Sequence, residues 1–238
     1  MLFTSTNKVY GSLDSLQAVV DGTHYCARNR DFRGVNETEP LDFHSPYGCS
    51  KGAADQYVRD YARIYDLPTV VFRMSCIAGP RQFGNEDQGW VAHFLYSALA
   101  RKPITVYGNG FQVRDVLHVY DLLDAMAAAR AAGDRSHGEV YNLGGGPERA
   151  VSVLEMLRMI EDRTGERFDR RTCVVRPGDQ PLYISDNSRF AAHTGWRPQR
   201  SLAETLAAIR DFWLTHHAHI GAVRQDLEPV IELTEEVA

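Results

Sequence analysis

Hydrophobic and polar positions along the chain follow two different periods, and each period predicts its own kind of element. The run PTVVFRMS, residues 68–75, is largely β-branched and aromatic, as is typical of a short strand buried in a parallel sheet. From residue 47 to residue 65, apolar and aromatic residues instead recur every three or four positions, which predicts a helix. Ser45 and Pro46 supply an N-cap and a proline for its first turn.

The same two patterns alternate through the rest of the chain. They predict strands at 1–10, 104–108, 112–119, 139–145 and 173–175, and helices at 90–101, 121–132, 151–164, 187–194 and 202–216. Residues 11–45 are polar and aperiodic, and we expect a long loop there with one helical turn at most. The acidic residues 226–238 are expected to form a loosely held tail. Strands that alternate with helices predict the α/β class with a parallel sheet.

Charge and composition narrow the function classes. The chain has 238 residues and a formal net charge of −5, which argues against a general nucleic-acid-binding protein. No apolar stretch approaches the length of about 18 residues that a transmembrane helix needs. No secretory signal pattern occurs at the N-terminus, and we therefore expect a cytoplasmic protein.

Cysteine and histidine patterns give no strong metal signal. The cysteines are scattered without a C-x-x-C pair, which favours reduced thiols over disulfides or a zinc site: Cys26, Cys49, Cys76 and Cys173. Three histidines, at positions 216, 217 and 219, cluster near the end of the last predicted helix. We interpret them as a solvated helix terminus and predict no metal site.

The first chemical signal is Tyr47-x-x-x-Lys51 within the predicted helix. Positions four apart lie on one helix face, so the Lys51 ammonium is expected beside the Tyr47 phenol. A neighbouring ammonium favours the phenolate, which makes Tyr47 a candidate general base for a substrate hydroxyl. Thr6, at the tip of the first predicted strand, would offer a second hydroxyl to the same substrate oxygen. On these residues alone, a surface tyrosine and lysine beside an ordinary strand end remain the alternative.

Further stretches occur in a fixed order around this motif: STNKVYG (5–11), LDFHSPYGCSKGAADQYV (41–58), GPRQFGNEDQGWV (79–91), GNGFQVRDVLHV (108–119), YNLGGG (141–146) and VRPGDQ (175–180). With them, the chain resembles the extended short-chain dehydrogenase/reductase (NAD-dependent epimerase/dehydratase) family. Within it, the chain resembles the subgroup of CDP-paratose (CDP-tyvelose) 2-epimerases. The resemblance runs from residue 1 to about residue 214.

The resemblance implies a hydride-transfer epimerisation of a nucleotide-diphosphate sugar, with NAD as the cofactor. Bound NAD takes the carbon-bound hydride, the keto sugar reorients, and the hydride returns to its other face. Thr6 would polarise the sugar oxygen, Tyr47 would move its proton, and Lys51 would tune Tyr47 and hold the nicotinamide ribose. Cys76 would lie beside the nicotinamide, and it and Ala78 stand where many family members have Asn and Tyr.

The resemblance also implies where the nucleotide and the sugar bind. Arg114 and Arg176 would clamp the diphosphate, because guanidinium groups bind phosphate oxygens in a bidentate way. Asp179 would accept ribose hydroxyls, and Gln88 lies in the DQGW stretch that is expected near the sugar. Trp90, in the same stretch, could serve the pocket or simply anchor the core. For each arginine in isolation, a surface salt bridge is the alternative.

The resemblance implies the C-terminal part of a Rossmann-type doubly wound parallel sheet plus a small α/β substrate-binding subdomain. Residues 1–86 would belong to the dinucleotide-binding domain with the active-site helix. In residues 87–214 the substrate-binding subdomain (87–120 and 165–214) would interleave with the last Rossmann elements (121–164). Residues 215–238 would form the tail.

One expected family motif is missing from the sequence. The G-x-x-G-x-x-G loop that holds the NAD pyrophosphate does not occur, and the glycines at 144–146 have the wrong spacing for it. The family places about four strand–helix units before STNKVYG, so we expect this chain to lack them and to bind NAD weakly by itself. The sheet would then have an open edge, covered by a homodimer or a partner chain.

Two other functions remain open on the sequence. The chain could be a redox-inactive module that binds nucleotide sugars, or it could be an NAD-independent enzyme that uses Tyr47 and Thr6 for proton transfer. Calorimetric titration with CDP and with NAD would identify the module. Solvent deuterium in a sugar product without added NAD would identify the proton-transfer enzyme.

Overall fold

Strands and helices alternate along residues 1–226, which are the part of the chain that this computed structural model describes. The strands are β1 (Leu2–Thr6), β2 (Val19–Asp21), β3 (His24–Cys26), β4 (Val70–Met74), β5 (Cys76–Ala78), β6 (Ile104–Tyr107), β7 (Val113–His118), β8 (Glu139–Leu143), β9 (Ala150–Ser152), β10 (Arg170–Cys173) and β11 (Leu182–Tyr183). The helices are α1 (Ser45–Tyr65), α2 (Trp90–Leu99), α3 (Val119–Ala132), α4 (Val153–Thr164), α5 (Ser188–Thr194) and α6 (Leu202–Asp226).

Four predictions from the sequence pattern are wrong in detail. The strand predicted at 173–175 lies earlier in the chain, as β10 at Arg170–Cys173. The first strand ends at Thr6, and a 3-10 turn over Asn7–Tyr10 replaces the rest of it. The segment 11–45 contains the antiparallel hairpin β2–β3 besides its short helical turn. Helix α6 continues to Asp226, so it includes residues 215–226, which the sequence assigned to a tail. Residues 227–238 lie outside the described part of the chain.

The predicted parallel sheet is present and aligns the ends of its strands. β4 lies between β1 and β8, and both pairings are parallel. The register pairs Thr6 with Met74 and Met74 with Leu143, so all three strands end at the same level. Among the described residues, β1 has a single neighbouring strand and forms an edge. Side chains and loops that follow these strands therefore meet at the carboxyl end of the sheet.

Helix α1 crosses from β1 to β4 and packs against β1. The N-cap residue is His44 and not the predicted Ser45, which begins the helix, although Ser45 Oγ accepts the backbone N–H of Gly48 at 3.1 Å. Pro46 occupies the first turn, as the sequence predicts. Gly52 allows a close approach to the preceding loop, because a Cβ there would lie 2.4 Å from the Phe43 ring. The helix axis is thereby fixed close to the tip of β1.

A second sheet contains β5, β7, β9 and β11. β7 pairs in parallel with β5 and β11 and in antiparallel with β9. The largest hydrophobic core lies between α2, α4, α6 and this region, and a second core surrounds β4, β8 and α3. Within residues 1–226, no helix has the length and apolar character to cross a membrane.

Candidate active site

Tyr47 and Lys51 lie one turn apart on helix α1, and Lys51 reaches the edge strand β1. The Lys51 ammonium donates a hydrogen bond to the carbonyl oxygen of Thr4 at 2.6 Å and lies 5.0 Å from the Phe3 ring centroid. Tyr47 is 51% exposed, and none of the described side chains, those of residues 1–218, forms a hydrogen bond with its hydroxyl. The phenol therefore faces outward, where a substrate hydroxyl has access to it.

Thr6 lies buried at the end of β1, where its hydroxyl caps the 3-10 turn that follows. Its Oγ1 accepts the backbone N–H of Lys8 at 3.3 Å and donates to Asn7 Oδ1 at 3.3 Å. Thr6 thus has long hydrogen bonds to its own neighbours, and its donor bond is open to exchange for a substrate oxygen. Thr6, Tyr47 and Lys51 are called the catalytic end below.

A buried ion pair connects the helix and the strands that carry the catalytic end. Asp55, one further turn along α1 from Lys51, accepts two hydrogen bonds from Arg73 of β4, at 2.9 and 3.0 Å. Ser5 Oγ of β1 donates to the same carboxylate at 2.9 Å, and Arg73 also donates to the Tyr10 hydroxyl at 3.1 Å. Both Asp55 and Arg73 are almost fully buried. The pair fastens α1, β1 and β4 to one another.

Cys76 begins β5, just beyond the end of β4, and its sulfur accepts the indole N–H of Trp90 at 3.2 Å. Burial raises the pKa of the Cys76 thiol, while Arg114 and the Trp90 hydrogen bond oppose that shift. The thiol is therefore neutral near pH 7. Trp90 also packs against the larger core, as one of its two sequence interpretations predicts, and a role in the sugar pocket stays a prediction.

Arg114 and Asp179 meet on the other side of Thr6, and the structure adds a lysine that the sequence analysis missed. Arg114 Nη2 donates to Asp179 Oδ1 at 2.7 Å, and Lys8 Nζ donates to the same oxygen at 3.2 Å. Burial of the ammonium, followed by repulsion from Arg114, lowers the pKa of Lys8, and Asp179 partly opposes this shift. The signal for Lys8 was its position two residues after Thr6.

Arg176 lies in the same loop as Asp179 but has different partners. Its guanidinium carbon lies 4.0 Å from the Tyr107 ring centroid, and Nη2 contacts Asp87 Oδ1 at 3.0 Å and the carbonyl oxygen of Glu86 at 3.2 Å. Arg114 and Arg176 therefore form ion pairs with different carboxylates. Lys8, Arg114, Arg176 and Asp179 are called the nucleotide end below.

Gln88 has the weakest link to the site. It is exposed, and its backbone closes a turn with Asn85: Gln88 N–H donates to Asn85 Oδ1 at 2.8 Å, and the Asn85 N–H donates to the Gln88 carbonyl at 2.8 Å. The same loop carries Glu86 and Asp87, so it borders the nucleotide end through Arg176.

The donor set fits part of a nicotinamide dinucleotide. The Lys51 ammonium and the exposed Tyr47 phenol suit ribose hydroxyls, and the neutral Cys76 thiol would add no charge beside a nicotinamide ring that is cationic when oxidised and neutral when reduced. The pyrophosphate has no glycine-rich cradle in this sequence. These residues therefore fit the nicotinamide riboside half of the cofactor.

Two other features lie apart from the predicted site. A cavity of about 370 Å³ opens between the β2–β3 hairpin and the β7 region, and none of the predicted site residues lines it. Among residues 1–226, no group of three or more His, Cys, Asp and Glu side chains is arranged to hold a metal ion. The side chain of His219, one of the three clustered histidines, lies outside the described set.

Comparison with known proteins extends these findings. Residues 1–144 match the model of the NAD dependent epimerase/dehydratase family. The chain is 40% identical over 217 residues to CDP-paratose 2-epimerase of Salmonella typhi, covering 89% of this chain and 64% of the relative. It is 31% identical over 230 residues to dTDP-glucose 4,6-dehydratase of Xanthomonas campestris pv. campestris (strain B100), covering 93% and 60%.

Solved structures show the same relationship. UDP-glucuronic acid 4-epimerase of Bacillus cereus, in complex with UDP-glucuronic acid and NAD, superposes with a TM-score of 0.74 at 26% identity, covering 90% of this chain and 61% of that one. A dTDP-glucose 4,6-dehydratase of Streptomyces venezuelae, with NAD and TYD bound, gives 0.73 at 27% identity, covering 92% and 61%. The chain spans less than two thirds of the length of these relatives. It belongs to the NAD dependent epimerase/dehydratase family and has that family's Rossmann-type α/β fold.

Proposed function

We propose that this protein is an NAD-dependent nucleotide-sugar epimerase of the CDP-sugar 2-epimerase type. The observation that carries the proposal is that Lys51, one turn after Tyr47 on α1, donates a hydrogen bond to Thr4 in the strand that ends at Thr6. The 40% identity to a CDP-paratose 2-epimerase supports the choice of sugar nucleotide.

In the proposed reaction, bound NAD supplies a reversible hydride acceptor for one carbon of the sugar. Tyr47 accepts the proton of the hydroxyl on that carbon, and it returns the same proton when the hydride comes back on the opposite face. Thr6 donates its hydrogen bond to that sugar oxygen in place of Asn7 Oδ1. Lys51 would support Tyr47 in this role and would hold the nicotinamide ribose hydroxyls, and Cys76 would lie beside the ring.

The nucleotide end would hold the rest of the substrate. Arg114 and Arg176 bind the diphosphate, Asp179 accepts ribose hydroxyls, and Gln88 contributes from the bordering loop. A fixed nucleotide leaves the sugar free to turn over while it is a ketone, which epimerisation requires.

Turnover of CDP-paratose tests the proposal. With NAD added at a concentration that offsets the weak binding expected of this chain, we expect NMR to show slow inversion at one sugar carbon and no solvent deuterium in the product. A product that has lost water would indicate a dehydratase instead. Deuterium incorporation without NAD would indicate the proton-transfer enzyme, and CDP binding without any turnover would indicate a binding module.

We also propose that a second copy or a partner chain covers part of α1 and the edge strand β1. Tyr57, Tyr61, Ile64 and Tyr65 form an exposed apolar surface on α1, each more than half exposed. Such surfaces are typical of protein contacts. Light scattering after size-exclusion chromatography would measure the mass. A monomer that stays stable and soluble at high concentration would contradict this proposal.

A further inference from the structure

The nucleotide end carries more positive than negative side chains. Lys8 and Arg114 both donate to one oxygen, Asp179 Oδ1, and Lys8 also donates to the carbonyl oxygen of Gly178 at 3.2 Å. The Lys8 and Asp179 side chains are 29% and 26% exposed, and the Arg114 side chain is 10% exposed. Two cations therefore share a single carboxylate in a largely desolvated place, and one positive charge is left over.

The loop that carries Asp179 is fastened at the neighbouring residue. Gln180 is fully buried, and its Nε2 donates to the Gly11 carbonyl at 2.7 Å and to the Asn7 carbonyl at 3.2 Å. The Asn7 side chain donates back to Gln180 Oε1 at 3.2 Å. The backbone at Asp179 is thus held against the turn that follows Thr6, and its carboxylate can leave the two cations by side-chain rotation alone.

We propose that Lys8 is a third cation of the nucleotide-sugar site and that the Asp179 carboxylate occupies an anion position between Lys8 and Arg114 until the diphosphate of the substrate takes its place. This inference deepens the proposed function and rests on it. A diphosphate carries more negative charge than one carboxylate, so it neutralises both cations more fully.

The position of Lys8 also ties the diphosphate to the reacting sugar. Lys8 follows Thr6 by two residues, and its backbone N–H donates to the Thr6 hydroxyl. The sugar of a nucleotide sugar is attached directly to the diphosphate, so a cation at this place holds the phosphate next to the sugar and the sugar next to Thr6. The displaced Asp179 carboxylate becomes available for the ribose hydroxyls that its proposed role requires.

Calorimetric titration of the 238-residue chain with CDP, inorganic diphosphate and cytidine tests this inference. We expect Lys8→Met to weaken CDP and diphosphate binding about tenfold, since it removes one charge-assisted hydrogen bond, and to leave cytidine binding unchanged. Lys8→Arg should restore most of the loss. Lys102→Met, which removes an exposed lysine between α2 and β6, is the matched control and should change nothing.

Asp179→Asn separates a displaceable carboxylate from an ordinary structural ion pair. If the carboxylate competes with the substrate phosphates, its removal should strengthen inorganic diphosphate binding severalfold. Weaker diphosphate binding by Asp179→Asn, unchanged CDP binding by a folded Lys8→Met variant, or failure of the wild type to bind diphosphate would each overturn the inference. If CDP and diphosphate bind as expected but the sugar is not epimerised, the proposed reaction is wrong and the anion site is still supported.

Discussion

The catalytic end and the nucleotide end of the candidate site differ in how deeply their ion pairs are buried. The catalytic end rests on Asp55 and Arg73, an ion pair that is almost fully buried and joins α1, β1 and β4. The nucleotide end consists of more exposed ion pairs, in which Asp179 binds Lys8 and Arg114 and Arg176 binds Asp87.

This difference teaches which parts of the site are fixed and which exchange partners. Breaking a buried pair leaves an uncompensated charge away from water, so the catalytic end stays in place. The pairs of the nucleotide end are more exposed than Asp55–Arg73, and an arriving anion replaces the carboxylate on its cations, so Asp179 gives up its partners at lower cost than Asp55 would. A rigid catalytic end and an exchangeable nucleotide end suit a reaction in which the nucleotide stays bound while the sugar turns.

The largest expected effect is on turnover when the Tyr47 hydroxyl is removed. Tyr47→Phe should lower kcat about 10²- to 10⁴-fold, because the general base is lost, with CDP affinity unchanged. The free energy of unfolding should stay the same, since this hydroxyl has no partner among the described residues. Tyr57→Phe is the matched control on the same helix and should keep full activity. An active Tyr47→Phe enzyme would exclude the general-base role.

The next effect is on stability when the buried pair is broken. Arg73→Met should lower the free energy of unfolding by about 3–5 kcal/mol, because it leaves the Asp55 carboxylate buried without its partner. Arg101→Met breaks the exposed pair with Glu166 and should lower the free energy of unfolding far less than Arg73→Met does. Denaturant titration measures both. If both variants lowered the free energy of unfolding by the same amount, the buried pair would be no more important to stability than the exposed pair.

Within the nucleotide end, the two arginines should differ. Arg114→Met should weaken CDP binding about 10- to 100-fold, since Arg114 is mostly buried and its hydrogen bonds are charge-assisted. Arg176→Met should weaken it no more than about fivefold, because its exposed guanidinium is partly screened by water. Calorimetric titration gives both values. A larger loss for Arg176 would place the main phosphate contact in its loop.

The smallest expected effect concerns Cys76, where the two ends meet. The pKa of its thiol is raised by burial, and its sulfur is engaged by Trp90. It should therefore react with iodoacetamide at pH 7 more slowly than the exposed Cys49 and Cys173. Mass spectrometry of timed samples identifies the modified residues. Faster modification of Cys76 would show that this part of the site is open to solvent.

The sequence predicted the elements of the catalytic end well, because they depend on local periodicity. The i, i+4 spacing placed Tyr47 and Lys51 on one face of α1, and the β-branched run placed β4. The same spacing extends to Asp55, four residues after Lys51, and that signal could have identified the support of the site. The β2–β3 hairpin was missed, because its strands are three residues long and carry no clear alternation.

By itself, the sequence determined the α/β class, most helix and strand positions, and the family to which the chain belongs. Only the tertiary structure decided which charged groups share a partner. Lys8, Arg114 and Asp179 come from three distant segments, and nothing in their local patterns shows that two cations meet one carboxylate oxygen. The physical reason is that periodicity reflects which face of an element is buried, whereas ion pairing depends on distances between elements that only the packed chain sets.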